Sequence, residues 1–580
     1  MALSIDPEDQ FLEIDDAIKA AKRHHQFADD RIKRYVGNRH RDDWKPTESV
    51  PVYKPHEWEY VTNMVPNLVY RDPTVEVEGL VAGIDDEAEF AIGQVMPQWI
   101  HGVRFAERLQ PLAYDTMFAF GVAMLRLDAL PGYDGAPEPL PLWPLFERIS
   151  WKRFFQDPRG GAQNWRFRGH YWRADQEDLL NAMEPDGSPT FDPDLVRGMA
   201  VDTDDKEFEH DESGPKGYTA QRKVVTGYEF YDRASGMIFT LGSMASGQKR
   251  HIRQPRQFVG FPDDPYVVFG LYLVPDQVYP LPPLAVTDER VRSINAHRHQ
   301  MALDAATSKR LLAIDGTQGS EQEKVNGALS GSTIVLGGVS AKAYQVLEFG
   351  GASDKQREYV LQETAELNET SGMSDLRRGN ITGKATATEV SEVAEADDAR
   401  TEFARSNFHT CTTELLDKAA RLMLRSDQVV MPIAVEMPDP MTGQMVKIPT
   451  MYVGGSLGAQ DAASRIRLRI TPMSMERMTR QSRQNRVQVM GAQVMAAAPL
   501  AAQLPIFPWA DLFDDMGEAV NIKDAGERYF GWVKPLAMAQ AQAAQQGQLP
   551  PGGESGKDKG EEKEPAQGAA PDPVAIGSGV

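Results

Sequence analysis

Several features that would place a chain in a secreted, membrane or metal-binding class are missing here. One cysteine, Cys411, stands in 580 residues, which excludes a disulfide framework and any site built on several thiolates. Long apolar runs are also missing. The best two are 266–274 and 494–507. The first is shorter than the roughly 20 residues a membrane span needs. The second is broken by Pro499, Gln503 and Pro505. Residues 1–20 hold Asp6, Glu8, Asp9, Glu13, Asp15 and Asp16 and no apolar core, so no secretory leader is expected there. Close histidine pairs are limited to His24-His25 and His297-x-His299. Neither has the i, i+4 spacing that puts two ligands on one helix face, so both pairs are expected to be solvated or to lie between copies. The Asp-rich 202–213 stretch lacks calcium-loop spacing. No metal site and no cofactor is expected.

Positive charge is short as well. Lys and Arg number 62 against 84 Asp and Glu, a net charge of −22. Binding of nucleic acid by wrapping needs basic surface, so a DNA-wrapping protein is disfavoured. A ring with an acidic bore is a different case. Repulsion lets DNA slide, while a few basic positions guide it.

What is present supports a folded chain. Hydrophobic residues make up 41%, enough for a core, and the length allows several domains. Apolar spacing predicts a helix over 6–36, opened by Asp6 and Pro7, and a second over 54–70, bent at Pro66. A strand follows at 75–78. Residues 86–126 read as helix up to about Gly121, then as a strand. Residues 144–174 and 218–275 read as strands, separated by a polar insertion at 187–216. The interleaved aromatics and arginines of 151–168 fit core or interface better than a stacking surface for single strands.

After the Pro280-Leu-Pro-Pro-Leu284 breaker, a helix is predicted over 285–312. Its apolar contacts would be Val291, Ile294, Met301, Ala305 and Leu311. The Gly-rich 313–350 contains strands near 333–336 and 343–349. A helix returns over 353–370, and a long one runs over 387–426 with Phe403, Phe408, Leu415, Leu416 and Met423 on its apolar side. Residues 428–471 read as strands broken by Pro438-Asp-Pro-Met-Thr-Gly443. Helices rich in Ala, Gln and Met follow at 475–498 and 523–546. Beyond 548 the composition is that of a disordered tail.

The most distinctive segment is 368–389. It contains Ser371-Gly-Met-Ser-Asp375, then Arg377, Arg378, Gly379, Gly383 and Lys384, and closes on Ala385-Thr-Ala-Thr-Glu389. Thr386 and Glu389 have the spacing of a capping box at the start of the long helix. A basic, Gly-hinged loop between two acidic helices suits contact with a moving polyanion. This stretch resembles the tunnel-loop region of tailed-bacteriophage portal proteins. The resemblance is best over 283–427 and looser over 60–175, where Asn63 to Pro73 and Phe154-Phe-Gln-Asp-Pro158 look like passages of the portal wing.

The resemblance implies a mixed α+β, portal-type elongated subunit with an α/β wing, a two-helix stem, a small β-containing clip and an α-helical C-terminal crown. Its boundaries would be wing 1–282, stem helix 283–312, clip 313–350, stem helix 351–371, tunnel loop 372–386, wing helix and β segment 387–475, crown 476–548 and tail 549–580. It implies a ring of twelve copies at a capsid vertex, the head-to-tail connector, through which double-stranded DNA enters at packaging and leaves at ejection. The terminase large subunit, head-completion and tail adaptor proteins, and capsid and scaffolding proteins would be partners. The location would be the virion, and the bacterial host cytoplasm during assembly. Arg377, Arg378 and Lys384 would meet DNA, and Val291, Ile294 and Met301 would pack between neighbouring stems.

Catalytic patterns fail on inspection. Gly379-Asn-Ile-Thr-Gly-Lys-Ala-Thr386 misses the phosphate-loop spacing by one residue and lacks its magnesium-binding hydroxyl. Gly454-Gly-Ser-Leu-Gly458 matches a nucleophile elbow, whose histidine should come later in the chain. None follows His409. No enzymatic activity is expected. A serine hydrolase using Ser456 is one alternative, and a non-viral ring or scaffold protein is another.

Overall fold

The computed structural model describes residues 6–37, 55–81, 84–129, 142–184, 188–201, 223–306, 309–315, 333–336, 345–349, 353–371, 387–438 and 445–470, with isolated positions at 327 and between 475 and 513. The expected helix at 523–546 and the tail at 549–580 lie outside the described residues. The chain divides into two units, Met1–Thr479 and Arg480–Val580. Of the second, residues 491–495 are helical and Phe513 is buried.

The first unit mixes helix and sheet. Helix α1, Pro7–Val36, starts as its sequence dictates. Asp6 accepts the Glu8 N–H at 3.0 Å and Pro7 occupies the first turn, where its missing donor costs nothing. Ile14, Ala17, Ala21 and Ala28 recur on one face and are fully buried. The first two meet Phe155, Phe167, Phe230 and Phe239 of the main sheet.

Helices α2 (His56–Leu68), α3 (Asp86–Gly102) and α4 (Phe105–Phe118) follow, with strand β1 (Val75–Gly79) before α3. The single helix expected from residue 86 is two. Arg104, at φ 51°, takes the left-handed conformation between them, and Asp72 accepts the Ala106 N–H at 2.8 Å to start the second. The break seats Phe105 against Phe146, ring centroids 5.0 Å apart.

Strands β2 (Gly121–Ala129) and β3 (Leu142–Ile149) form a three-stranded sheet with β9 (Tyr266–Phe269), β2 in the centre. Strands β4 (Phe154–Gln156), β5 (Phe167–Asp175), β6 (Val224–Asp232), β7 (Met237–Ser243) and β8 (Lys249–Gln257) form a five-stranded antiparallel meander in chain order. The aromatics of 151–168 are interior. Trp151, Phe154, Phe155, Trp165 and Phe167 are all buried. Two short helices, α5 (Gln176–Asn181) and α6 (Pro193–Arg197), follow β5. The latter lies in the polar insertion, whose residues 202–216 are outside the described ones.

Helix α7, Pro283–Ala306, is followed by strand β10, Lys309–Asp315. The last residues expected as helix, 309–312, are therefore strand, paired with both β11 (Thr333–Leu336) and β12 (Gln345–Phe349). Helix α8, Asp354–Ser371, returns, and helix α9, Ala387–Arg425, runs 39 residues. Its buried Phe408, Leu415, Leu416, Ala419 and Met423 join α2, α3 and α4 in the largest core. Phe403 does not join them. It is 59% exposed, lying against the Tyr272 ring at 6.3 Å.

Hairpin β13 (Val430–Pro438) and β14 (Met445–Val453) forms as expected. A helix, α10 (Leu457–Ala463), then interrupts what reads as strand. Its anchors Ala459, Ala462 and Ala463 are buried but too small to register as an apolar stripe. Strand β15, Ile466–Ile470, pairs with β1 almost 400 residues earlier, Val75 facing Ile470.

Candidate functional site: a helix pair, its root and the long helix

Helices α7 and α8 run antiparallel, as three cross-pairs along their length show. Arg290 pairs with Glu366. The His297 and Tyr359 rings lie 4.6 Å apart. Gln356 donates to Asp304 at 3.0 Å. Between them sit Val291, Ile294, Val360 and Leu367, all buried, with Met301 packed alongside.

Within one copy, Val291 at 2% exposure and Ile294 at 0% are covered by α8. Sequence spacing identified the apolar stripe but not which helix covers it. Ala305 is exposed, and Leu311 is in a strand.

The root of the pair is held by charge. Asp288 on α7 meets two α1 guanidiniums, Arg31 at 3.4 Å and Arg34. Arg34 also bonds Glu57 of α2 at 2.6 Å, and Arg292 reaches Asp30 at 3.4 Å. Arg31 donates to the Phe118 carbonyl at 2.8 Å. Burial brings the Arg31 pKa down to about 10, so it is still a cation at neutral pH. Beside this network, His56, Glu57, Tyr60, Leu284, Leu367 and Ser371 help line a cavity of about 20 Å³, room for about one water. Ser371 is the last residue of α8. The link from α8 to α9 therefore leaves from the root of the pair. Arg377, Arg378, Lys384 and the Thr386 cap fall within 372–386, outside the described residues.

The C-terminal half of α9 is clamped by ions between residues 414 and 425, about three turns. Lys418 donates to Asp264, to the Tyr266 carbonyl at 2.8 Å and to Glu414 at 2.8 Å. Arg168 of β5 adds a second cation to Asp264 at 3.1 Å. Burial alone would push the Asp264 carboxyl up, but Lys418 and Arg168 outweigh it and hold it below its usual value. Likewise, burial would depress Lys418, yet Asp264 and Glu414 raise it. Arg421 and Arg425 reach Asp263 at 3.0 and 2.9 Å. Asp417 accepts the Leu468 N–H at 2.7 Å. These groups were not singled out from sequence. The available signal was a set of cations at 418, 421 and 425, beside the apolar Leu415, Leu416, Ala419 and Met423, and the Asp263-Asp264 pair in a proline-flanked turn.

Residues 454–458 form a turn and the start of a helix. Strand β14, a turn and α10 do give the strand–turn–helix outline of an elbow, with Gly455 at φ 76°. The Ser456 hydroxyl accepts the Ala459 N–H at 3.3 Å as the helix cap. His25 is half-buried. It packs on Trp151, centroids 5.4 Å apart, and burial lowers its pKa to about 4. Burial pushes the Cys411 thiol up to about 11, which leaves it protonated and unreactive at neutral pH. No cluster of metal-binding side chains occurs among the described residues, and no described helix is long and apolar enough to cross a membrane.

No family model matches the chain, and no curated protein matches it. Among solved structures, one similar chain belongs to the virion of a native gene transfer agent particle. It shares 12% identity, and the match covers 71% of this chain and 79% of that one, with a TM-score of 0.27.

Proposed function

We propose that this chain is a portal-type subunit, copies of which stand side by side in a ring around a channel for double-stranded DNA at a capsid vertex. The observation that supports it most is the succession of a helix, a small three-stranded sheet, an antiparallel helix, a fifteen-residue basic link and a 39-residue helix. The Ser-Gly-Met-Ser-Asp and Ala-Thr-Glu residues stand at the two ends of that link. Helices of 24 and 18 residues that share four buried apolar side chains bury little surface against the entropy of ordering them. Neighbouring copies would supply the remainder. Val286, Leu303 and Leu361, at 55%, 47% and 70% exposure, and Tyr359 at 40% are exposed hydrophobic side chains on the pair. Under this reading the small sheet is where the packaging terminase and later the adaptor proteins dock. The basic link joins the N-terminal end of α9, and the clamp anchors that helix at its C-terminal half.

Light scattering on purified protein tests the assembly directly. A ring should have close to twelve times the 64.4 kDa subunit mass, and negative-stain images should show a central hole. A species of single-chain mass at micromolar concentration overturns the reading.

A further inference from the structure

Uncovered apolar side chains gather along the segment that leads into α7. Residues 271–282, between β9 and α7, fold back on themselves, the Leu281 N–H donating to the Tyr272 carbonyl at 2.9 Å. Leu273, Val274 and Leu281 stay exposed, Leu273 at 63%. Phe403 of α9 leans on the Tyr272 ring. Phe27 of α1, also exposed, lines one cavity with Val274 and Leu281. That cavity is about 350 Å³ and includes the stacked rings of Phe120 and Tyr279, 4.7 Å apart. No carboxylate lines it. Its one guanidinium, Arg31, is already engaged by the Phe118 carbonyl and Asp288. The cavity therefore suits a neutral apolar group rather than an ion. An apolar band spread over three elements is wider than a small ligand covers, and is the kind of surface that another polypeptide buries.

Position and charge indicate which polypeptide. Ala285, where α7 meets the cavity, comes about two and a half turns before Ile294. Ile294 packs on α8, so the cavity opens on the side of α7 away from α8. The two sides differ in charge. Over residues 22–34, α1 carries five cations against two carboxylates. Among the described residues, Lys22, Arg23 and Lys33 have no carboxylate at ion-pair distance. Helix α8 carries five carboxylates against two cations. Its Glu358 and Glu363 have no cation at ion-pair distance among the described residues. When copies are related by rotation, the α7 side of one meets the α8 side of the next. An apolar centre between flanks of opposite charge fits such a head-to-tail contact.

We infer that the 271–282 segment and its cavity form the socket of a copy-to-copy contact, covered by the α8 flank of a second copy of this chain. This rests on the side-by-side arrangement proposed above and names the surface that arrangement buries. The apolar band supplies affinity through burial. The basic stretch of α1 and the acidic α8 fix which flank approaches which, because two like flanks repel.

The test uses full-length protein carrying Leu273→Cys, labelled with a fluorescent maleimide at nanomolar and at micromolar chain concentration while light scattering follows the mass. Cys411 adds little background, since burial keeps its thiol protonated. Labelling of Leu273→Cys should slow at least about tenfold where copies assemble. Leu12→Cys, equally exposed at 63% on α1 but outside the band, should label at one rate throughout. Leu273→Asp should raise the concentration of half-assembly at least about tenfold, with the far-ultraviolet circular dichroism of the parent. If that variant unfolds, Leu273→Ser should still raise it severalfold. Rings in which Leu273→Cys labels as fast as Leu12→Cys, or which form equally well with Leu273→Asp, overturn this inference and leave the portal reading standing. Slow labelling already in the single chain means that the chain covers the band itself, and also overturns it. A single-chain mass at micromolar concentration overturns both.

Discussion

Removing the Lys418 ammonium would leave Asp264 with one cation instead of two, in a site where both carboxylate and ammonium are 8% exposed. Breaking a buried pair by deleting one partner costs roughly 3–5 kcal/mol. Arg168 remains, so Lys418→Ala should cost about 3 kcal/mol, read as a lowered urea midpoint. Asp264 is held below its ordinary 3.8 in the folded chain. Its contribution is therefore present above that value and lost as pH falls through the folded one. In Lys418→Ala the carboxyl is held less low, so acid unfolding should begin at a higher pH than in the parent. An unchanged acid midpoint would remove Lys418 from this role. Three histidines give a second, separate pH effect. Burial lowers His25, His170 and His409 to about 4. Between pH 6.5 and 4 the unfolded chain binds protons that the folded chain refuses, so stability should rise with pH across that window. Thermal melts at half-unit pH steps check this, and a flat profile from pH 4.5 to 6.5 contradicts it.

At the scale of elements, the helix pair is the part whose stability rests on fewest contacts. Ile294 is fully buried between α7 and α8. Ile294→Asp puts an unpaired carboxylate there, which costs several kcal/mol by burial alone. Opening of the pair should appear as new protease cuts within 283–371, while the main core keeps its melting transition. Val286→Asp, at a 55% exposed position on the same helix, should leave the cutting pattern of the single chain as it was. Equal behaviour of the two variants would contradict the packing described. By contrast, the C-terminal half of α9 has both an apolar face and ion pairs to Asp263 and Asp264, so it should be the last element to open.

For the whole molecule, the acidic surplus and the few basic positions have distinct consequences. If DNA passes an acidic ring, the link between α8 and α9 is where its backbone would meet fixed cations. Changing Arg377, Arg378 and Lys384 together to Ala should leave rings intact in negative stain and reduce DNA retained in assembled particles. Normal retention would remove the DNA role from these residues.

Much of the order of elements was legible in the chain, because helix starts and breaks are local. Asp6-Pro7 opens α1, Pro280 and Pro282 precede α7 and Pro283 opens it, and the 3–4 spacing of α9 shows over its length. The β-rich middle was legible in the same way, since alternation needs only neighbours in sequence. Three things required the tertiary structure. The residue that covers Ile294 is some 66 positions away, on α8. The partner of β1 is β15, and only pairing across that distance makes either a strand in a sheet. The helix at 457–463 has alanine anchors that gain nothing until α9 lies over them. Sequence fixes local conformation through propensity, capping and periodicity. Which surfaces are left over, and therefore what the protein can bind, is settled only when distant segments bury each other.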